Sequence, residues 1–248
     1  MRAMILAAGL GTRLRPLTDD RPKALVELAG RTLLEITLSR LRAIGIGDVI
    51  VNVHHFADQV IDYLKAKRNF GMRIEISREE VLLGTGGGLK NAGWFFLEQP
   101  GALDEPLLLH NVDVLSTIDL ERLAGSHRRG GALATLAVQE RKSSRYLLFD
   151  EQLQLCGRRV ARGHKAETVR RCPCPLALAF SGIHVLSPRL LSRWKEEGEF
   201  SIIDTYLRLA GEGEKILAFR ADEYYWRDLG KGQSLAQAER DLRRNLVR

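Results

Sequence analysis

The chain has 248 residues, 45% hydrophobic and 28% charged, and its 38 Lys and Arg against 31 Asp and Glu give a formal charge of +7. That suits one large domain with an ample core. No apolar run approaches the roughly 18 residues of a membrane span, and Met1 to Leu6 is too short for a signal-peptide core. The expectation is a soluble, cytoplasmic protein with no membrane partner.

The basic balance suits polyanions, either nucleic acid or phosphorylated small molecules. Only 6% of residues are aromatic, with no interleaving of basic and aromatic side chains, which argues against nucleic acid. The three cysteines, Cys156, Cys172 and Cys174, are an odd number without a second ligand pair, so neither a disulfide framework nor a zinc site is expected.

Along the chain, "AMILAA" reads as a buried strand. "TLLEITLSRLRAIG" has helical spacing and stops at Gly45. "DVIVNV" is a second strand, "FADQVIDYLKAKRNFG" a helix ending at Gly71, and "MRIEIS" a third strand. "TGGGLKNAGWFF" reads as a helix begun by glycines, and "EPLLLHNVDV" as a fourth strand. This alternation predicts a Rossmann-like, three-layer α/β/α fold around a mostly parallel sheet.

The second half changes texture. "GALATLAVQE", "SRYLLFD" and "LQLCGR" read as strands without long helices between them, a small antiparallel extension of a mixed sheet. The stretch 157–171 is the least regular and reads as a surface loop; six of its fifteen residues are Lys or Arg. "LALAFSGIHVLS" is another strand, with helices expected near 187–196 and 202–211. "KILAFRA" and "EYYWRDLG" are short strands, and "SLAQAERDLRRNLV" is an amphipathic tail helix. A single domain is expected over 1–248, with one half over 1–130 and a second over 131–248.

The chemistry starts where the first strand ends. In an open α/β sheet, ligands bind beyond the carboxyl ends of the strands. Ala8, Gly9, Gly11 and Thr12 lie there, and glycines let backbone N–H groups approach an anion closely. Arg13, Arg15, Arg21 and Lys23 follow, adding charge for phosphate oxygens. A dinucleotide fingerprint would need a glycine where Leu14 stands, and a Walker loop would need Gly-Lys-Ser/Thr. A tight turn carrying solvated arginines is the plain alternative. Asp113 sits just past an apolar strand, on the same sheet edge. The histidines suggest only core or rim hydrogen bonds.

"LAAGLGTRLRPLT", "PKAL", "GTGGGLKNA", "LLLHNVDVL", "AFSGIHVLSP" and "WRDLG" together resemble the sugar-1-phosphate nucleotidyltransferases over nearly the whole chain. The likeness is greatest to the short bacterial enzymes that uridylylate N-acetylmuramate 1-phosphate, followed by the guanylyltransferases for mannose or heptose 1-phosphate. The resemblance implies transfer from an NTP, UTP or GTP, to a sugar 1-phosphate with Mg²⁺ held by Asp113 and Asp228. It implies Arg13 on the β- and γ-phosphates and Lys23 between the α-phosphate and the sugar phosphate. Gly84, Thr85 and Gly86 would meet the nucleotide, and Asn111, Ser181 and Gly182 the sugar.

Two departures stand out. Val112 replaces the glycine of the usual Asn-Gly-Asp, and the Glu-Lys-Pro segment of larger members, whose lysine grips the sugar phosphate, is missing. Arg158, Arg159 and Lys165 in the basic stretch are candidates to replace that lysine. Other readings are a cytidylyltransferase for phosphocholine, a catalytically silent nucleotide-sugar sensor, and a basic nucleic-acid binder.

Overall fold

The computed structural model describes residues 1–98, 105–160 and 166–244. The elements are β1 (Arg2–Leu6), β2 (Glu27–Leu28), β3 (Arg31–Thr32), α1 (Leu33–Ala43), β4 (Asp48–Val53), α2 (Ala57–Ala66) and β5 (Arg73–Arg78). Next come α3 (Gly84–Asn91), α4 (Gly93–Leu97), β6 (Leu107–Asn111), β7 (Val114–Ser116), α5 (Leu120–Gly130) and β8 (Ala134–Gln139). The remainder are β9 (Arg145–Phe149), β10 (Leu155–Val160), β11 (Glu167–Thr168), β12 (Leu176–Leu186), α6 (Ile202–Gly211), β13 (Ile216–Arg220), β14 (Trp226–Asp228) and α7 (Gly232–Arg243). No helix among the described residues is long and apolar enough to cross a membrane.

Strand alternation builds the layers. In β1, Ala3 and Ile5 face one core with Leu34, Leu38 and Leu41 of α1, while Met4 and Leu6 face the other with Phe95, Ile202 and Tyr206. Each fully buried Leu or Phe contributes about 2 kcal/mol. Covering both faces of one sheet gives the expected α/β/α sandwich. β5, β4, β1 and β6 are parallel, and β12 joins β6 antiparallel, with β8 and β9 antiparallel to β12 in turn.

Four expectations are corrected. The fourth strand does not run through Asp113: β6 ends at Asn111, the chain turns at Val112 and Asp113, and β7 pairs antiparallel with β14 in a separate small sheet. The helix expected to reach Gly71 stops at Ala66, because Asn69 and Phe70 take positive φ in a short 3₁₀ turn. No helix fills 187–196; only a 3₁₀ segment, Pro188–Ser192, forms there. The basic stretch is not simply a loop, since β10 and β11 pair across it, while residues 161–165 lie outside the described ones.

Three histidines are built into the interior. Burial pushes His110 and His184 down to about 3 and His127 to about 4, with the charge of Arg40 adding to the effect at His110. They are neutral when folded, whereas an unfolded chain takes up a proton at each near pH 6.5. Their contribution is complete above that pH and is lost as pH falls toward 4 and below. Stability should decline by up to about 4 kcal/mol per pH unit while all three differ by a proton. Urea midpoints measured from pH 7 to 4.5 would show this; a flat profile would contradict it.

Candidate active site

The end of β1 becomes a donor surface. Ala7 donates its N–H to Asn52 Oδ1 at 2.7 Å, which fixes where the loop departs. From Ala8 to Thr12, no backbone N–H bonds to another group among the described residues. The turn is closed from behind instead: Thr18 Oγ1 donates to the Gly11 carbonyl at 2.9 Å, and Leu14 N to the same oxygen at 2.8 Å. A row of free N–H groups on a fixed turn is an anion-binding surface.

Of the four cations expected there, two are neutralised locally. Arg15 pairs with Asp19 and Arg21 with Asp20, all exposed. Arg13 has no ion pair among the described residues. Lys23 is buried, 9% exposed, and its Nζ sits on Asp113 Oδ2.

The break between β6 and β7 carries Asp113 to this place. Val112 N donates to the Leu6 carbonyl at 3.1 Å, tying the turn to the end of β1. Asp113 accepts Leu229 N on its own carbonyl at 2.8 Å, and Asp228 pairs with Val114 in register. The backbones of the two acids therefore lie side by side, Asp113 in the turn before β7 and Asp228 at the end of β14. Gly230 N donates to Asp228 Oδ1 at 2.6 Å. The Cβ position of Gly230 lies 2.6 Å from Arg13 Nη2 and 2.7 Å from Asp228 Oδ1, so that arginine and that acid flank one point. Arg13, Lys23, Asp113 and Asp228 thus converge at the carboxyl ends of β1 and β6.

Behind the acids stands a cation that the sequence reading passed over. Arg40 of α1 donates to Ser116 Oγ at 2.9 Å and to the Ile118 carbonyl at 2.7 Å, pinning the segment that follows Asp113. Burial lowers its pKa to about 10. Its position in an amphipathic helix gave no sign of this role, since a charged residue at that spacing normally faces water.

The glycine-rich segment is positioned largely by packing. A Cβ on Gly86 would lie 2.3 Å from the Phe200 ring, so the close approach of that ring requires glycine. Gly86 N donates to the Phe200 carbonyl at 3.0 Å, and Thr85 Oγ1 accepts Ile202 N at 3.0 Å. Those two groups are committed within the chain. Glu79 holds the loop ahead of the helix: Oε1 accepts Asn52 Nδ2 at 2.6 Å and Oε2 accepts Leu83 N at 3.0 Å. Asn52 and Glu79 also escaped the sequence reading, Asn52 because it sits inside the apolar run "DVIVNV".

Gly182 interrupts β12 with φ +71°, where the register shifts between Phe180 and His184. A Cβ there would lie 2.8 Å from Asn111 Nδ2, so this bulge sits directly against Asn111. Ser181 is fully buried, and its carbonyl accepts Trp226 Nε1 at 2.7 Å. Arg158 is shared between Glu167, at 2.6 Å, and Asp204. Lys165 lies outside the described residues.

Asp113 and Asp228 offer carboxylate oxygens, and among the described residues no group of three or more His, Cys, Asp or Glu is clustered for a metal. Two carboxylates suit Mg²⁺, which keeps water and substrate phosphates in its other positions, and do not suit zinc.

Comparison with known proteins gives a consistent result. A family model described as nucleotidyl transferase matches residues 2–245. An N-acetylmuramate alpha-1-phosphate uridylyltransferase of Caulobacter vibrioides is 35% identical over 97% of this chain and 96% of its own length. A mannose-1-phosphate guanylyltransferase of Mycobacterium tuberculosis is 30% identical over 99% of this chain and 65% of its own length. Among solved structures, HddC from Yersinia pseudotuberculosis complexed with GMP-PN superposes with a TM-score of 0.75 at 22% identity, covering 97% of this chain and 99% of that one.

Proposed function

This chain belongs to the nucleotidyl transferase family, and we propose that it moves the nucleotidyl group of an NTP onto a sugar 1-phosphate, releasing pyrophosphate. The observation that carries the reading is the convergence of Arg13 and Lys23 with Asp113 and Asp228 beside a row of free backbone N–H groups. A sugar-phosphate oxygen attacks the α-phosphorus, a new P–O bond forms, and the bond to the β-phosphate oxygen breaks. The nucleophile is already an anion, so no general base is needed. The work is to bring two anions into line and to balance charge on the leaving group.

The loop from Ala8 to Thr12 receives the triphosphate oxygens. Arg13 follows on a short turn and holds the departing pyrophosphate with a planar fork. Lys23, a point cation, bridges the α-phosphate and the incoming phosphate. Asp113 and Asp228 would hold Mg²⁺, which supplies charge neutralisation for the phosphates. The 79–86 segment borders the nucleobase, and Asn111, Ser181 and Gly182 form the acceptor side.

The preferred pair is UTP with N-acetylmuramate 1-phosphate, because the Caulobacter relative matches along nearly the full length of both chains. GTP with mannose 1-phosphate is the second reading, supported by the mycobacterial relative. A screen of pyrophosphate release with Mg²⁺, four NTPs and a panel of sugar 1-phosphates tests both. Release should require both substrates and be fastest for the first pair. A faster GTP–mannose 1-phosphate rate would move the assignment, and silence for every pair would remove the transferase reading.

A further inference from the structure

Arg141 follows β8 by two residues, and its position is set by the sheet. β12 runs antiparallel to β6 with Ile183 opposite His110, which puts Ser181 and Gly182 beside the end of β6. β8 pairs with β12 through Gln139 and Ala179, so the chain leaves β8 at the same edge. The guanidinium of Arg141 then lies over the indole of Trp226, 3.5 Å from the ring centroid. Trp226 precedes Asp228 by two residues on β14, so the two side chains share a face of that strand.

Three features mark Arg141 as prepared for a ligand. Its Nη2 donates to the Phe180 carbonyl at 2.7 Å, which orients the fork. Its Nε is buried without an acceptor, as is Ser181 Oγ, whose own carbonyl is bonded to the same Trp226. Among the described residues it has no ion pair, whereas Arg158, Arg170 and Arg227 of this half of the chain each have a carboxylate. Burial lowers its pKa, with the charge of Asp228 opposing. A stacked, oriented cation that burial disfavours and no carboxylate pairs gains most from an incoming anion.

We propose that Arg141 binds an oxyanion of the acceptor, on the side of the site opposite the triphosphate loop, in the role that Arg158, Arg159 and Lys165 were expected to fill. This rests on the transferase reading above. The anion is the 1-phosphate itself or a carboxylate carried by the sugar, as in N-acetylmuramate.

Arg141→Met keeps a stem over Trp226 and removes the charge; Arg141→Lys keeps the charge and loses the fork. With Arg141→Met, the acceptor KM should rise about 10- to 100-fold, the loss of charge-assisted hydrogen bonds. The NTP KM should stay within about threefold, and Arg141→Lys should recover part of the loss. A rise shared by glucose 1-phosphate and N-acetylmuramate 1-phosphate assigns the phosphate; a rise confined to the second assigns its carboxylate. An unchanged acceptor KM overturns the proposal. So does a matching loss for NTP and acceptor together with a lowered melting temperature, which would mark a structural role. If the unaltered protein releases no pyrophosphate with any pair, the transferase reading fails instead. Calorimetric titration with inorganic phosphate and with lactate then decides Arg141 alone, equal binding of both anions by the unaltered protein and Arg141→Met overturning it.

Discussion

Lys23→Ala should lower turnover by about 10²- to 10³-fold while the NTP KM changes by less than about tenfold. The asymmetry follows from where the amine sits. Lys23 is 9% exposed, packed against Gly11 of the glycine loop, and its amine is paired with Asp113 and not with the backbone of that loop. In the proposed site, ground-state binding of the triphosphate is spread over the loop's row of free N–H groups and Arg13. A cation placed between two phosphates gains most when the attacking oxygen of one makes the α-phosphorus of the other five-coordinate, so its loss falls on turnover.

The same pairing predicts a second readout. In the free protein Lys23 neutralises Asp113, and a divalent ion held there as proposed would compete with it for that carboxylate. Removing the amine should therefore leave the Mg²⁺ concentration for half-maximal rate unchanged or lower, even as the rate collapses. Steady-state kinetics across NTP and Mg²⁺ series would test both. Equal losses in kcat and in NTP affinity, or a raised Mg²⁺ requirement, would count against the assignment.

What could be read from the chain was governed by range. The strand–helix alternation of the first half is local, and it predicted the parallel layer and both of its covered faces. The glycine loop is local too, and Arg13 and Lys23 stand within one short stretch. The pairing of β14 with β7 is not local. Nothing in "WRDLG" specifies that it lies against "VLS", and only that pairing brings Asp228 to Asp113. Two further readings share a limit. The glycines of "GTGGG" were read for a ligand, yet Gly86 is needed first by the Phe200 ring. The basic stretch drew attention to Arg158 through charge density, yet Arg158 already has two carboxylates, whereas Arg141, in a segment of mixed charge, is buried with none among the described residues. Charge counted along a sequence says little about which cations already have partners in space.

Glu79→Leu should be the most damaging change outside the cluster of charged site residues. Glu79 is 3% exposed and Asn52 2% exposed, and the acid accepts from Asn52 Nδ2 and from Leu83 N. Leucine leaves one buried donor and one half-buried donor without acceptors, the buried one at about 1–3 kcal/mol. A chain of this size should then melt roughly 5–20 °C lower. The functional loss follows from the other end of Asn52, whose Oδ1 receives Ala7 N where the glycine loop departs. Glu79 is a positioning residue in this account: through Asn52 it ties the triphosphate loop to the segment leading into α3. Glu79→Leu should raise the NTP KM more than it lowers kcat. Glu79→Gln keeps the shape and one acceptor, so it should fall between the two proteins in both melting temperature and NTP KM. If Glu79→Leu lowered stability while leaving NTP KM untouched at a temperature where it stays folded, the buried bridge would be a matter of stability alone. The two loops would then be held in place by their own packing.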